Sequence, residues 1–252
     1  MVFLMPATFL GYAWASTPER LAVVAGVTVF FALLARGVRG VSRSGACAGG
    51  LVCFALFGGA GPGAFATLVA LFAATWVSTR LGYRRKQELG LAEQREGRNA
   101  GQVLANLAVS AAGALVFGAT GNEACVVAVV AALAEAATDT VASEVGQSQR
   151  RDAWMITTGA RVSAGTDGGI TLFGTVAGLA AGLVIAVVAL GCGIVAQSRL
   201  WIPVVAGFVG MLADSVMGAT IQRRGWISNQ GVNFVATLLA AVIAYGIMLA
   251  VG

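Results

Sequence analysis

Not one of the 252 residues is a histidine. That removes the usual neutral-pH general base and the commonest metal ligand. Zinc sites built on imidazole and Ser-His-Asp hydrolysis are thereby excluded. Charge is scarce as well. Asp, Glu, Lys and Arg together make up only 11% of the chain, where a globular domain carries about a quarter. Too little polar surface remains to keep a soluble protein of this length in water. Proline numbers four, too few for an extended proline-rich linker. The four cysteines show no CxxC spacing and lie in apolar runs. They read as small buried hydrophobes rather than ligands or redox pairs. Chemistry in this chain therefore rests on carboxylates, arginines, Lys86, hydroxyls and backbone amides.

What is present in quantity is apolar sequence. Hydrophobic residues make up 58% and glycine contributes 35 positions. Glycine within apolar segments suits close helix–helix approach in a bilayer. A span of about 20 apolar residues crosses the hydrocarbon core. On that rule candidate spans fall at 2–16, 20–36, 44–58, 62–82, 100–118, 123–142, 168–196, 201–221 and 231–251, with the first and third short. No ten-residue alternation of a membrane barrel is visible. The expected fold is an all-α integral membrane bundle of about seven to nine transmembrane helices. Residues 1–252 form one polytopic domain. The segment 2–16 lacks a basic n-region and makes a poor cleavable signal peptide.

The arginines set the expected orientation. Fourteen of the sixteen basic residues fall in four loops, after 36, 82, 142 and 221, which alternating spans place on one side. Only Arg20 and Arg199 fall opposite. An excess of Lys and Arg in short loops marks the cytoplasmic face. The largest polar block, 83–99, reads YRRKQELGLAEQREGRN and is expected to be a cytoplasmic loop with helical character, held partly by charge pairs.

Against this background the carboxylates stand out. Ala137–Gln147 reads ATDTVASEVGQ, and Ala213–Gln222 reads ADSVMGATIQ. Asp139 and Asp214 occupy equivalent places, each copy is followed by a basic pair (Arg150–Arg151 and Arg223–Arg224), and a parallel internal repeat is suggested. An ionisable residue in a span costs about 2.5–3.5 kcal/mol on insertion scales and is a functional candidate by default. Glu135 lies one helical turn before Asp139, on the same face. Asp167 sits in GTDGG at the start of another span. Carboxylates at one depth repel unless a cation sits among them, and Mg²⁺ takes hard oxygen ligands and bridges to phosphates. Asp139, Glu144, Asp167 and Asp214 are the expected ligands. Asp139, Asp167 and Asp214 are the expected catalytic residues. A glycine-rich turn before a helix is a natural phosphate cradle, which implicates Gly165, Gly168 and Gly169. Arg150, Arg151 and Arg161 are placed to pair with phosphate oxygens. The bland alternative pairs each carboxylate with an arginine that merely holds the bundle.

The blocks GRNAGQVLAN (97–106), ATDTVASEVGQ (137–147), GTDGGITLFGT (165–175), LADSVMGATIQ (212–222) and GVNF (231–234) occur in this order. On them the chain resembles the multi-pass membrane family of unknown function that includes the plant phytyl-phosphate kinase. It is more distantly similar to CTP-dependent polyprenol kinases and phosphatidate cytidylyltransferases. The resemblance implies phosphoryl transfer from a nucleoside triphosphate, CTP being the expected donor, to phytyl or another isoprenoid monophosphate. It carries to Asp139, Ser143, Glu144, Asp167, Asp214 and Asn233, while the first forty residues hold no matching block. Such a reaction needs no histidine. A phosphate monoester, with a second pKa of about 6, is already an anionic nucleophile, and phosphoryl transfer depends mainly on positioning and charge neutralisation. The expected partners are the two substrates and the bilayer, with no nucleic acid. The expected location is a prokaryotic plasma membrane, with the site on its cytoplasmic side. The rival reading is a transporter or lipid scramblase that uses the intramembrane carboxylates near the midplane.

Overall fold

A computed structural model describes residues 13–149 and 153–251. Seven of its helices are long and apolar enough to cross a membrane. The first, α1 (Pro18–Gly37), starts where Thr17 caps the Arg20 N–H and Pro18 opens the first turn. The expected helix at 2–16 lies mostly outside the described residues. Its described end is a turn, in which Trp14 stacks on Phe57 at 4.8 Å and the Ala15 N–H donates to the Gly58 carbonyl at 3.0 Å.

The second, α2 (Arg43–Arg80), has 38 residues. A straight helix of that length would run about 57 Å, nearly twice the ~30 Å hydrocarbon core. It is broken at Gly61, whose φ of 83° and ψ of −174° only glycine adopts readily, and Pro62 removes the next donor. The two arms, 43–60 and 62–80, fold back on each other. Phe57 stacks on Phe65 beside the bend at 5.3 Å. At the far ends, the Trp76 indole and the Arg80 guanidinium both donate to the Val38 carbonyl, at 3.1 and 2.7 Å. The two expected spans at 44–58 and 62–82 are thus a helical hairpin.

Beyond it, α3 (Tyr83–Glu88) is one short turn and a half, less helix than the polar block 83–99 suggests. Nor is this block wholly solvated, because Lys86 is buried. A capping box between Asn99 and Gln102 starts α4 (Ala100–Thr120), and Gly121 in the left-handed conformation ends it. Then α5 (Glu123–Ser148) runs through the centre, with 94% of its most apolar stretch buried, against a third for α6, α7 and α8.

Between α5 and α6 (Leu172–Gly191) lies a feature foreign to an all-helical reading. A small antiparallel sheet, ordered β2-β1-β3, is built from β1 (Ala153–Met155), β2 (Arg161–Val162) and β3 (Gly169–Ile170). The next crossing, α7 (Trp201–Met217), continues into a π-helical turn at Gly218–Gln222, and α8 (Asn229–Val251) closes the bundle.

Small residues set the spacing around α5. A Cβ at Gly174, Gly178 or Gly182 would lie 2.4–2.5 Å from Ala142 O, Thr138 O or Thr138 Oγ1. That glycine stripe lets α6 pack backbone to backbone on α5. Large apolar side chains face outward instead, Phe30 at 68% and Leu51 at 73% exposure, because lipid is as apolar as a core. The same logic corrects the cysteines. Cys53 and Cys125 are buried, but Cys47 and Cys192 lie on the surface.

Candidate active site

The two acidic copies meet. Helices α5 and α7 run in the same direction and touch, a Cβ at Gly210 being only 2.5 Å from the Glu135 Cγ. Asp139, Ser143 and Gln147 recur at every fourth position of α5, so they share a face. Asp214, Gly218 and Gln222 repeat that spacing seventy-five residues on. All six line one cavity of about 130 Å³ at the arginine-rich end of the bundle. The π-turn falls within the second copy, a distortion frequent at functional sites.

The far wall is the loop before α6. Gly165, Thr166, Asp167, Gly168 and Gly169 all line the cavity. Thr166 ties the loop, its hydroxyl donating to the Ser163 carbonyl at 2.8 Å and its own carbonyl accepting from Gly169 N–H at 2.8 Å. Gly165 and Gly168 have φ of 83° and 77°. At Gly168 a Cβ would fall 2.4 Å from the Ala219 Cβ, so only glycine lets the loop press on the π-turn. Thr171 caps α6 through the Gly174 N–H at 3.0 Å, and the positive end of that helix faces the cavity beside Thr171 and Thr175. Asp167 is exposed, whereas Asp139 and Asp214 are half-buried.

Asp214 is held from α8. The Asn233 amide, oriented to satisfy its neighbours, donates to Asp214 Oδ2 at 3.1 Å and to the Asn229 carbonyl at 3.0 Å. Its oxygen accepts from Asn106 Nδ2 at 3.2 Å, and Asn106 also donates to the Gln102 carbonyl at 2.9 Å. Asp139 feels the charge of Arg98, while Asp214 feels the charges of Asp139 and Asp167. Above them, Glu135 is 1% exposed and both its carboxyl oxygens lack a hydrogen-bond partner.

Several expectations need correction. Glu144 does not join the other carboxylates. It pairs with the buried Lys86 ammonium and accepts from the Thr79 hydroxyl at 2.9 Å, so its charge is spent tying the end of α2 and α3 to α5. Arg161 is exposed on β2 and does not line the cavity. Arg150 and Arg151 lie outside the described residues. Of the second basic pair, Arg224 stands over the Trp226 ring at 5.3 Å and Arg223 reaches the Met155 sulfur at 4.0 Å. Among the described residues, no three His, Cys, Asp or Glu side chains converge closely enough to hold a metal ion unaided. The donors present suit a different arrangement, since Mg²⁺ commonly takes one or two carboxylates and completes its shell with water and substrate phosphates.

Sequence reasoning missed Gln147, Gln222, Thr171, Thr175, Asn229 and Arg98. The glutamines were legible, because they close the two copies at equivalent places. Arg98 lies in the GRNAGQVLAN block, and Thr171 stands at the cap position of α6. Asn229 and Thr175 carried no signal of their own.

Comparison with known proteins agrees with the fold. The chain is 34% identical over 203 residues to "Uncharacterized membrane protein sll0875" of Synechocystis, covering 79% of this chain and 78% of that protein. It is 29% identical over 223 residues to "Protein VTE6, chloroplastic" of Arabidopsis thaliana, covering 82% of this chain and 65% of the plant protein. To "Uncharacterized membrane protein MJ0933" of Methanocaldococcus jannaschii it is 36% identical over 115 residues, 45% of this chain and 48% of the archaeal one. No solved structure matches. The description "Integral membrane protein DUF92" matches residues 26–241, and with most of its length so matched the chain belongs to the DUF92 family of integral membrane proteins.

Proposed function

We propose that the protein is a membrane isoprenoid-phosphate kinase, transferring the γ-phosphoryl group of a nucleoside triphosphate, CTP by preference, to phytyl or another polyprenyl monophosphate. One observation carries the reading. Asp139 and Asp214, from two copies of one motif, face the glycine-rich Asp167 turn across a single polar cavity at the basic end. The resemblance to the family that includes phytyl-phosphate kinase supports it, as does the likeness to the plant relative.

The chemistry needs little from the protein beyond placement. An oxygen of the acceptor phosphate attacks the γ-phosphorus, the bond to the β–γ bridging oxygen breaks, and the electron pair leaves with the nucleoside diphosphate. The loop amide at Gly168 and the α6 N-terminus suit the donor's phosphates. Asp139 and Asp214 are the carboxylates that would hold Mg²⁺, with Asp167 across the cavity from them. Held there, Mg²⁺ would supply neutralisation of the charge that develops on the transferring phosphoryl group. Asn233 keeps the Asp214 carboxylate turned toward the cavity. Ser143 at the mouth offers a hydroxyl to either substrate. The excess of arginine at this end supports a site on the cytoplasmic face, and the expected membrane is a prokaryotic plasma membrane.

Glu135 favours a second reading. It is sealed, unpartnered and nearer the middle of α5, as a coupling site in a transporter would be. Depth separates the two. Asp139 lies nine residues from the end of α5, about 14 Å along the axis, one helical turn nearer the basic end than Glu135. Purified protein incubated with geranylgeranyl or phytyl phosphate, CTP and Mg²⁺ should form the diphosphate. Failure with several nucleotides and several isoprenoid phosphates sinks the kinase reading.

A further inference from the structure

A second cavity of about 390 Å³ lies beside the first, between α1, the two arms of α2 and α4. Its walls are apolar, formed by Phe31, Leu68, Leu71, Phe72, Val103 and Leu107. Its lining turns polar at the basic end, with Arg39, Arg80, Arg95 and Arg98 as well as Gln102 and Asn106. The one carboxylate in its lining, Glu93, is occupied by the Gln102 amide at 3.0 Å and the Gln94 N–H at 2.9 Å. A hydrocarbon-lined hollow with a cationic end matches an amphiphile with an anionic head.

Arg98 is built into that end. Its N–H donates to the Gly40 carbonyl at 3.2 Å and its carbonyl accepts from Ser42 N–H at 2.9 Å. The fit is tight: a Cβ at Gly45 would fall 2.0 Å from the Arg98 carbonyl oxygen. A hydrogen-bonded chain links the two cavities: Asn106, which lines the apolar one, donates to Asn233, whose amide donates to Asp214, which lines the polar one.

We propose that the apolar cavity is the acceptor's site: it takes the hydrocarbon chain of a lipid monophosphate whose head rests at Arg98 and Asn106, across Asp139 and Asp214 from the glycine-rich cleft. This rests on the kinase reading for the identity of the lipid as an isoprenoid phosphate. The cavity then divides the labour, donor on one side of the carboxylates and acceptor on the other. A chain leaving the bilayer gains little apolar burial, because lipid is already apolar. Recognition therefore falls to the head, where arginine meets phosphate through charge-assisted hydrogen bonds. Chain length is read by the room in the hollow.

Gly49 supplies the test. It lines the cavity, and a Cβ there meets nothing within 4 Å, so the side chain of Gly49→Phe starts in open space. The full-length protein in phosphatidylcholine nanodiscs is labelled with a geranylgeranyl monophosphate analogue bearing a diazirine near the chain end. Labelled peptides are mapped by mass spectrometry. Labels are expected on the cavity walls of α1, α2 and α4. Excess geranylgeranyl phosphate should compete at least tenfold better than geranylgeraniol, and Arg98→Gln should erase that preference. Gly49→Phe, and independently Leu71→Trp from the opposite wall, should cut labelling at least tenfold while CTP binding changes less than twofold. Labels confined to lipid-facing surfaces, undiminished labelling in both filled variants, or equal competition by the alcohol would overturn the proposal. Diphosphate formation is followed in the same samples. Wall labelling without diphosphate defeats the kinase reading alone, and diphosphate without wall labelling defeats the cavity assignment alone.

Discussion

Asp139 and Asp214 differ from most carboxylates in a bundle in that neither is spent on a visible salt bridge among the described residues. A group left to act on a ligand should matter to rate and not to assembly. Asp139→Asn and Asp214→Asn are each expected to lower diphosphate formation by about 10²–10³-fold, the scale for losing one positioned electrostatic group. Their elution as a folded species should match the parent. Retention of full activity in both would return these residues to a structural role. Glu144 makes the opposite case. Its partner Lys86 is 1% exposed, and removing one member of a buried pair strands the other at about 3–5 kcal/mol. Lys86→Met should therefore lower the denaturant midpoint sharply in detergent, and the double variant Lys86→Met/Glu144→Leu should recover much of the loss. Both glutamates and aspartates were visible as anomalies in apolar sequence. Which of them pair with lysine was not, because Lys86 and Glu144 are fifty-eight residues apart.

Among the elements, α5 is the one on which the others depend. Its stretch EACVVAVVAALAEAATDTVASEVGQS is small-residue-rich on every side, which suits a helix with neighbours all round. The α6 glycines answer it. A side chain at Gly182 would begin 2.4 Å from the Thr138 hydroxyl, so Gly182→Leu should wedge α6 off α5. Overpacking of this kind costs about 1–3 kcal/mol, readable as a lowered thermal midpoint in detergent. An unchanged midpoint would mean the interface is looser than these contacts imply. Helix positions were readable from apolar length, and the break within α2 from the gap between the expected spans 44–58 and 62–82. The sheet over 153–170 was not, because strands of two and three residues carry no periodicity.

At the scale of the whole molecule, the basic loops gather at the end that holds both cavities, and Arg199 pairs with Glu123 at the other. Impermeant thiol labelling tests the orientation directly. In a variant lacking the four native cysteines, Ser198→Cys should react in intact cells. Trp226→Cys, exposed at the basic end, should react only after the membrane is opened. The reverse pattern would move the site to the outer face.

The membrane class and the end of the bundle that carries the arginines were determined by the sequence alone, and the crossings were bounded at about seven to nine. Each follows from local quantities, namely the length of apolar runs and the sign of the charge between them. The candidate carboxylates were determined in the same way, since a charge in a span is costly wherever it points. Tertiary structure decided which of them share a cavity. Packing turns Asp139 and Asp214 onto one cavity with Asp167, hands Glu144 to Lys86, and sets an apolar hollow with an arginine-lined end on the far side. Those outcomes depend on helix rotation and on contacts between residues distant in the chain, which no run of hydropathy encodes.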